Sequence, residues 1–148
     1  MPKRRASAQQ RRAVARRARD CCEYCASQAS FATQSFSIEH IIPLDKGGLT
    51  TLDNLALACQ GCNNHKHVKT EGIDPVGNVP VPLYHPRRQR WCDHFAWERG
   101  CTRIVGLTPT GRATVEALNL NRQSLVNLRT ILYAMGEHPP VTFVDDSD

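Results

Sequence analysis

Ile38-Glu39-His40-Ile41-Ile42-Pro43, followed by Leu52-Asp53-Asn54-Leu55 and then by Cys59-Gln60-Gly61-Cys62-Asn63-Asn64-His65-Lys66-His67, is the stretch that decides how this 148-residue chain reads. Its β-branched and aromatic residues predict a strand from Phe36 to Ile42, closed by Pro43 and a turn at Gly47-Gly48. A second short strand near Leu55 to Ala58 completes a hairpin. The Cys59 to Cys62 turn then leads into a helix that begins around Asn63 and ends before Gly72. Neighbouring side chains on a regular strand point to opposite faces. Glu39 and His40 therefore enter one pocket only if the strand ends or twists there, which Pro43 favours.

Cys22/Cys25 and Cys59/Cys62 each have the two-residue spacing that lets adjacent thiolates converge on one tetrahedral zinc ion. The 33 residues between the pairs exceed the ribbon spacing of about 15 to 20 and contain Glu39 and His40. Zinc would thus close the loop that holds them, and with four sulfur ligands it has no open position, which makes its role structural. Cys21 competes with Cys22 for register, and the spacing favours Cys22. Cys92 and Cys101 lack a partner pattern and read as buried free thiols. Seven cysteines argue against a closed disulfide framework, and no apolar signal-peptide core follows the basic start; the expected compartment is a reducing cytoplasm.

The hydrophobic share of 41% excludes a wholly disordered chain, and no apolar run approaches the roughly 20 residues needed to span a bilayer. The length suits one domain over residues 1–148, with 1–7 as a flexible tail and 140–148 as an acidic one ending in Asp145, Asp146 and Asp148. Formal net charge is +5 and stays positive after four thiolates and one zinc ion are counted. Lys3, Arg4, Arg5, Arg11, Arg12, Arg16, Arg17 and Arg19 all precede Asp20, the first acid. Phosphate backbone is the natural partner of such a field, a solvated arginine-rich arm the plainer alternative. Residues 8 to 19 read as a helix that places Arg12, Arg16 and Arg19 on one face. Gly72 to Pro86 reads as a loop, and Trp91, Phe95 and Trp97 as packing residues before base-stacking ones. Thr108-Pro109 starts a further helix. Asn121 caps the last one, whose Leu125, Leu128, Leu132 and Met135 form a stripe that Gly136 ends.

Taken together, Glu39-His40, Asn54, Cys59-x-x-Cys62-Asn63 and the upstream Cys22-Glu23-Tyr24-Cys25 resemble the HNH endonuclease family. Over roughly residues 10 to 140, through Tyr84-His85-Pro86-Arg87 and Trp91 to the segment Thr108 to Arg112, the chain is similar to small stand-alone bacterial members. The resemblance implies an α+β fold with a ββα-metal (His-Me finger) core stapled by a four-cysteine zinc site and flanked by N- and C-terminal helices. It implies hydrolysis of phosphodiester bonds in nucleic acid, DNA foremost, with His40 as general base and Asn54 holding the loop that orients it. Glu39, at a position where aspartate or histidine is commoner, and Asn63 would bind a catalytic divalent ion. His67, four residues on, is either another ligand or a phosphate- or solvent-facing side chain. Oxygen ligands favour magnesium or manganese, and a histidine ligand would admit nickel or zinc. Lys66 and Lys69 are expected to join Arg12, Arg16 and Arg19 on phosphates, because an ammonium has no lone pair for a metal. The competing reading is a zinc-stapled nucleic-acid-binding module without catalysis. Oligomeric state stays open, a dimer being one way for one site per chain to cut both strands.

Overall fold

The computed structural model describes residues 4–144; Lys3 and the acids Asp145, Asp146 and Asp148 lie outside them. Mixed helices and small antiparallel sheets give an α+β fold in two compact units. One unit comprises the chain up to Thr70 together with His85–Arg88, the other Glu71–Tyr84 together with the chain from Gln89.

In the first unit, α1 (Ala8–Arg17) starts at a capping box, with Gln10 N–H donating to Ser7 Oγ and Ser7 N–H donating back to Gln10 Oε1. Ser7 is therefore part of ordered structure although the sequence reads as tail to that point. Val14 and Ala18 bury against Leu55 and Leu57, with Phe36 and Ile38 packed around them. The helix ends at Arg17 and not at Arg19, because Arg19 (φ 52°) and Asp20 (φ 56°) adopt the left-handed conformation. Arg19 thus leaves the face of Arg12 and Arg16, and the expected three-arginine stripe is two residues long. The turn sends the chain back to the sheet, where Glu23 N–H donates to Leu57 O at 2.9 Å.

β1 (Ser37–His40) and β2 (Leu55–Ala58) pair antiparallel, Glu39 opposite Ala56 and His40 opposite Leu55. The first strand stops short of Ile42 because Asn54 replaces a strand partner beyond it: its backbone carbonyl accepts from Ile41 N–H and its side chain takes over Ile42. Next comes α2 (Gln60–Lys66), which begins earlier than its polar sequence suggests. The knuckle itself is its first turn, with Cys59 as N-cap accepting from Cys62 N–H. It ends at His67, whose φ of 50° is incompatible with a further turn.

The second unit opens with a hairpin, β3 (Glu71–Ile73) and β4 (Pro80–Pro82), inside the stretch read as loop. Its connection is closed by Asp74, which accepts from Val76 and Gly77 N–H and forms a bidentate pair with Arg112 at 2.8 and 2.9 Å. Helix α3 (Trp91–His94) runs into β5 (Phe95–Trp97), which pairs with β6 (Ile104–Gly106). Trp91 lies against Phe95 and Trp97, with Phe143 edge-on at 5.2 Å, so the aromatics do pack. Phe143 is buried, and with it part of the supposed acidic tail becomes core. Thr108 caps α4 (Pro109–Ala117) as its sequence predicts. For α5 (Gln123–Ala134) the cap is Arg122, since the Asn121 side chain is bound to the backbone of Ile104. Leu125 and Leu132 are buried and Leu128 half-buried, whereas Met135 is 63% exposed beyond the helix end. Arg129 fills the inner face instead, its guanidinium bound to the Leu120 and Thr102 carbonyls. No helix of the described residues is long and apolar enough to cross a membrane.

The Arg112 guanidinium, helped by the Val76 and Gly77 N–H groups, holds the Asp74 carboxyl down at about 2. A depressed carboxyl adds stability that is complete above its unfolded value of about 4 and disappears as pH falls toward its folded value. Thermal unfolding followed by fluorescence of Trp91 and Trp97 should therefore show Asp74→Asn less stable than the unmodified chain at pH 7. The gap should narrow between about pH 4 and pH 2.

Candidate active site and metal centre

Cys22 and Cys25 arrive on the turn after α1, Cys59 and Cys62 on the cap and first turn of α2. All four are buried, and their sulfurs lie within 4.8 Å of one another. Cys25 Sγ and Cys59 Sγ are 3.6 Å apart. Sulfurs bound tetrahedrally to zinc at about 2.3 Å would stand about 3.8 Å apart, so the cage fits that ion. Burial pushes the Cys22 thiol up while the thiols of Cys22, Cys25 and Cys62 hold Cys59 well below the ordinary thiol range. A bound cation would let all four ionise together. Cys21 stays outside the cage, its sulfur on the Arg19 carbonyl. Cys92 and Cys101 are half-buried, more open than their sequence context implies.

The two residues inside the first knuckle reach outward. Glu23 accepts from Leu57 N–H at 2.8 Å and pairs with Arg87, whose segment His85–Arg88 belongs to this unit. Tyr24 is fully buried, and its hydroxyl donates to Glu39 Oε1.

Glu39 is 5% exposed, and its other oxygen faces Lys66 Nζ at 3.3 Å. That ammonium also donates to Ile41 O at 2.8 Å. Lys66, 2% exposed, is therefore committed inside the fold and does not offer its charge to a phosphate, which corrects its assignment from sequence. The side chain turns inward because the carboxylate one strand away needs a cation: removing one partner of a buried pair costs about 3–5 kcal/mol, far more than the intact pair contributes. Burial raises the Glu39 carboxyl, and Lys66 and Tyr24 oppose that rise. Lys69 is exposed, its ammonium near the His65 carbonyl.

His40 is the last residue of β1, which settles how neighbouring side chains share a site. Glu39 points into the protein, His40 stays half-buried, and both border one cavity of about 300 Å³ with Asp45, Asn63 and His67. Burial pushes the His40 imidazole below its ordinary value, so it is neutral at pH 7. Its Nε2 lies 2.9 Å from Thr50 Oγ1. Asn54, 8% exposed, does not border the cavity. Its side-chain amide accepts from Ile42 N–H and donates to the Ile42 and Leu49 carbonyls, all within 2.9 to 3.0 Å. A Cβ on Gly48 would meet Ile42 O at 1.8 Å, which explains the glycine in this loop. Glu39 and Asn63 suit a hard divalent cation in kind: of the four or so lone-pair sites on a carboxylate, Tyr24 and Lys66 use two. Sequence reasoning missed Tyr24, whose only signal is its place between knuckle cysteines, and Thr50, which carries no motif at all.

Residues 22–69 match the model of the HNH endonuclease family. The match contains the four cysteines, Glu39, His40, Asn54 and Asn63. Comparison with curated proteins and with solved structures finds no match.

Metal analysis of the purified chain should find about one tightly held zinc, and Cys59→Ser should lose that zinc together with several degrees of melting temperature, because ligand binding and folding are coupled. Zinc-free protein that melts like the loaded form would contradict the structural assignment.

Proposed function

We propose that the chain is a metal-dependent endonuclease that hydrolyses phosphodiester bonds in DNA, with β1, β2 and α2 as its ββα-metal core. The observation that carries this reading is the convergence of His40, Glu39 and Asn63 on one cavity within the segment that matches the HNH family. Neutral His40 takes a proton from the attacking water, a general base already in the right protonation state near pH 7. Asn54 contributes by closing the loop after β1 and so orienting the base, rather than by touching the metal. Glu39 and Asn63 would hold the divalent ion, magnesium or manganese first, and His67, which borders the same cavity, would as a further ligand admit nickel or zinc. When bound, such an ion neutralises the phosphoryl oxygens and stabilises the departing oxygen.

DNA would be positioned by charge. Arg12 and Arg16 are exposed on α1, Arg19 just beyond it and Lys69 just beyond α2, and among the described residues none forms an ion pair like the one that fixes Lys66. Binding measured against salt should give a log-log slope of about −0.9 per phosphate contact, and Arg12→Ala/Arg16→Ala should reduce that slope by roughly 2. Lys66→Ala should act through stability instead.

His40→Ala should lower plasmid nicking about 10²- to 10⁴-fold at saturating magnesium while zinc content and DNA affinity stay unchanged. Asn63→Ala should move the activating metal concentration upward, and the response of His67→Ala decides between ligand and phosphate contact. A zinc-stapled module that only binds nucleic acid would retain affinity and show no nicking that chelator removes.

A further inference from the structure

We propose that Thr50 is a positioning residue for His40, holding the imidazole as the tautomer protonated at Nε2 so that the lone pair sits on Nδ1. The inference rests on the reading of His40 as general base and adds the element that prepares it. Neutral imidazole has two tautomers, and only one presents a basic nitrogen to a given side. Here Nε2 is engaged by Thr50 Oγ1 at 2.9 Å. A hydroxyl that accepts from Nε2–H leaves Nδ1, the nitrogen Thr50 does not engage, to receive the proton from water. The proton moves from water oxygen to Nδ1, Nε2–H remains on Thr50 Oγ1, and the resulting imidazolium keeps both protons. Unlike a carboxylate, the hydroxyl orients the ring without adding a charge beside it.

Thr50 can set a tautomer only if it is itself fixed, and the fold holds it from both sides. Before it, the Leu49 carbonyl is bound by the Asn54 amide at 2.9 Å, and Gly48 N–H donates to Pro43 O at 3.0 Å. Its own carbonyl accepts from Gln10 Nε2 at 3.0 Å. After it, Thr51 O receives Asn54 N–H at 2.9 Å. Gln10 is the same residue whose other amide atom closes the capping box with Ser7. One side chain therefore starts α1 and anchors the residue that touches the base, so the N-terminal helix reaches the chemistry through two hydrogen bonds and not through its arginines alone.

The test uses the zinc-loaded full chain labelled with ¹⁵N, comparing wild type, Thr50→Val and Thr50→Ser. Nitrogen shifts of His40, assigned by their loss in His40→Ala, should report the Nε2–H tautomer in wild type and Thr50→Ser, and a mixture or the other tautomer in Thr50→Val. Single-turnover nicking should fall about tenfold to a hundredfold in Thr50→Val, less than on removal of the base, with DNA affinity unchanged and Thr50→Ser close to wild type. An Nδ1–H tautomer in the wild type overturns the proposal whether or not the variants fold. So does a Thr50→Val chain whose tautomer is unchanged. The tautomer is read without activity, so it stands apart from the question whether His40 is the base: nicking retained by His40→Ala would remove the catalytic reading and leave the tautomer result as a separate fact.

Discussion

Two pairs of sulfurs, separated by 33 residues of chain, meet inside a space 4.8 Å across, and the geometry of the site follows from that closure. A two-stranded sheet of four-residue strands and a seven-residue helix are too small to hold a fixed arrangement by burial alone. The cage supplies the missing constraint twice. It fixes where α2 begins, since Cys59 is its cap, and it fixes the knuckle whose Glu23 and Tyr24 grip β2 and Glu39. Knuckle, strand and helix are thereby one structural element, and the acid at the cavity is positioned by the same turn that carries two of the four clustered cysteines.

The buried charges follow a consistent logic. Glu39 needs partners because a lone carboxylate in this position would be too costly, and it receives one from each neighbour, a phenol from the knuckle and an ammonium from α2. An arrangement with two donors leaves lone pairs for a cation while preventing the carboxylate from turning away. His40 is treated differently. It is half-buried beside a neutral hydroxyl, and burial pushes its imidazole below the ordinary value. Glu39 and His40 stand next to each other in sequence, yet the strand's alternation gives them different environments, and the end of β1 at His40 lets both border one cavity.

The second unit shows how small polar groups organise irregular chain. Asp74 closes a hairpin turn and is pinned by Arg112. Asn121 clasps both backbone groups of Ile104, and Arg129 satisfies the carbonyls of Thr102 and Leu120, which lie in the connections before β6 and after α4. The Asp74–Arg112 and Asn121–Ile104 bonds tie residues distant in sequence, and hydrophobic periodicity announces neither.

The sequence by itself determined the β1–β2 hairpin with the helix after it and the two cysteine pairs that meet in one cluster, because spacing within a knuckle and apolar alternation are local properties that the chain carries openly. It also placed the helix start at Thr108-Pro109, where a cap and an N1 proline act within one turn. Only the tertiary structure decided that Lys66 is buried on Glu39, that Arg19 leaves its helix face, that Met135 falls outside the stripe Arg129 enters, and that Thr50 meets His40. A side chain's partner across space depends on how the chain closes. A lysine in an amphipathic-looking helix reads the same whether its ammonium ends in water or on a carboxylate, until the strand carrying that carboxylate is laid beside it.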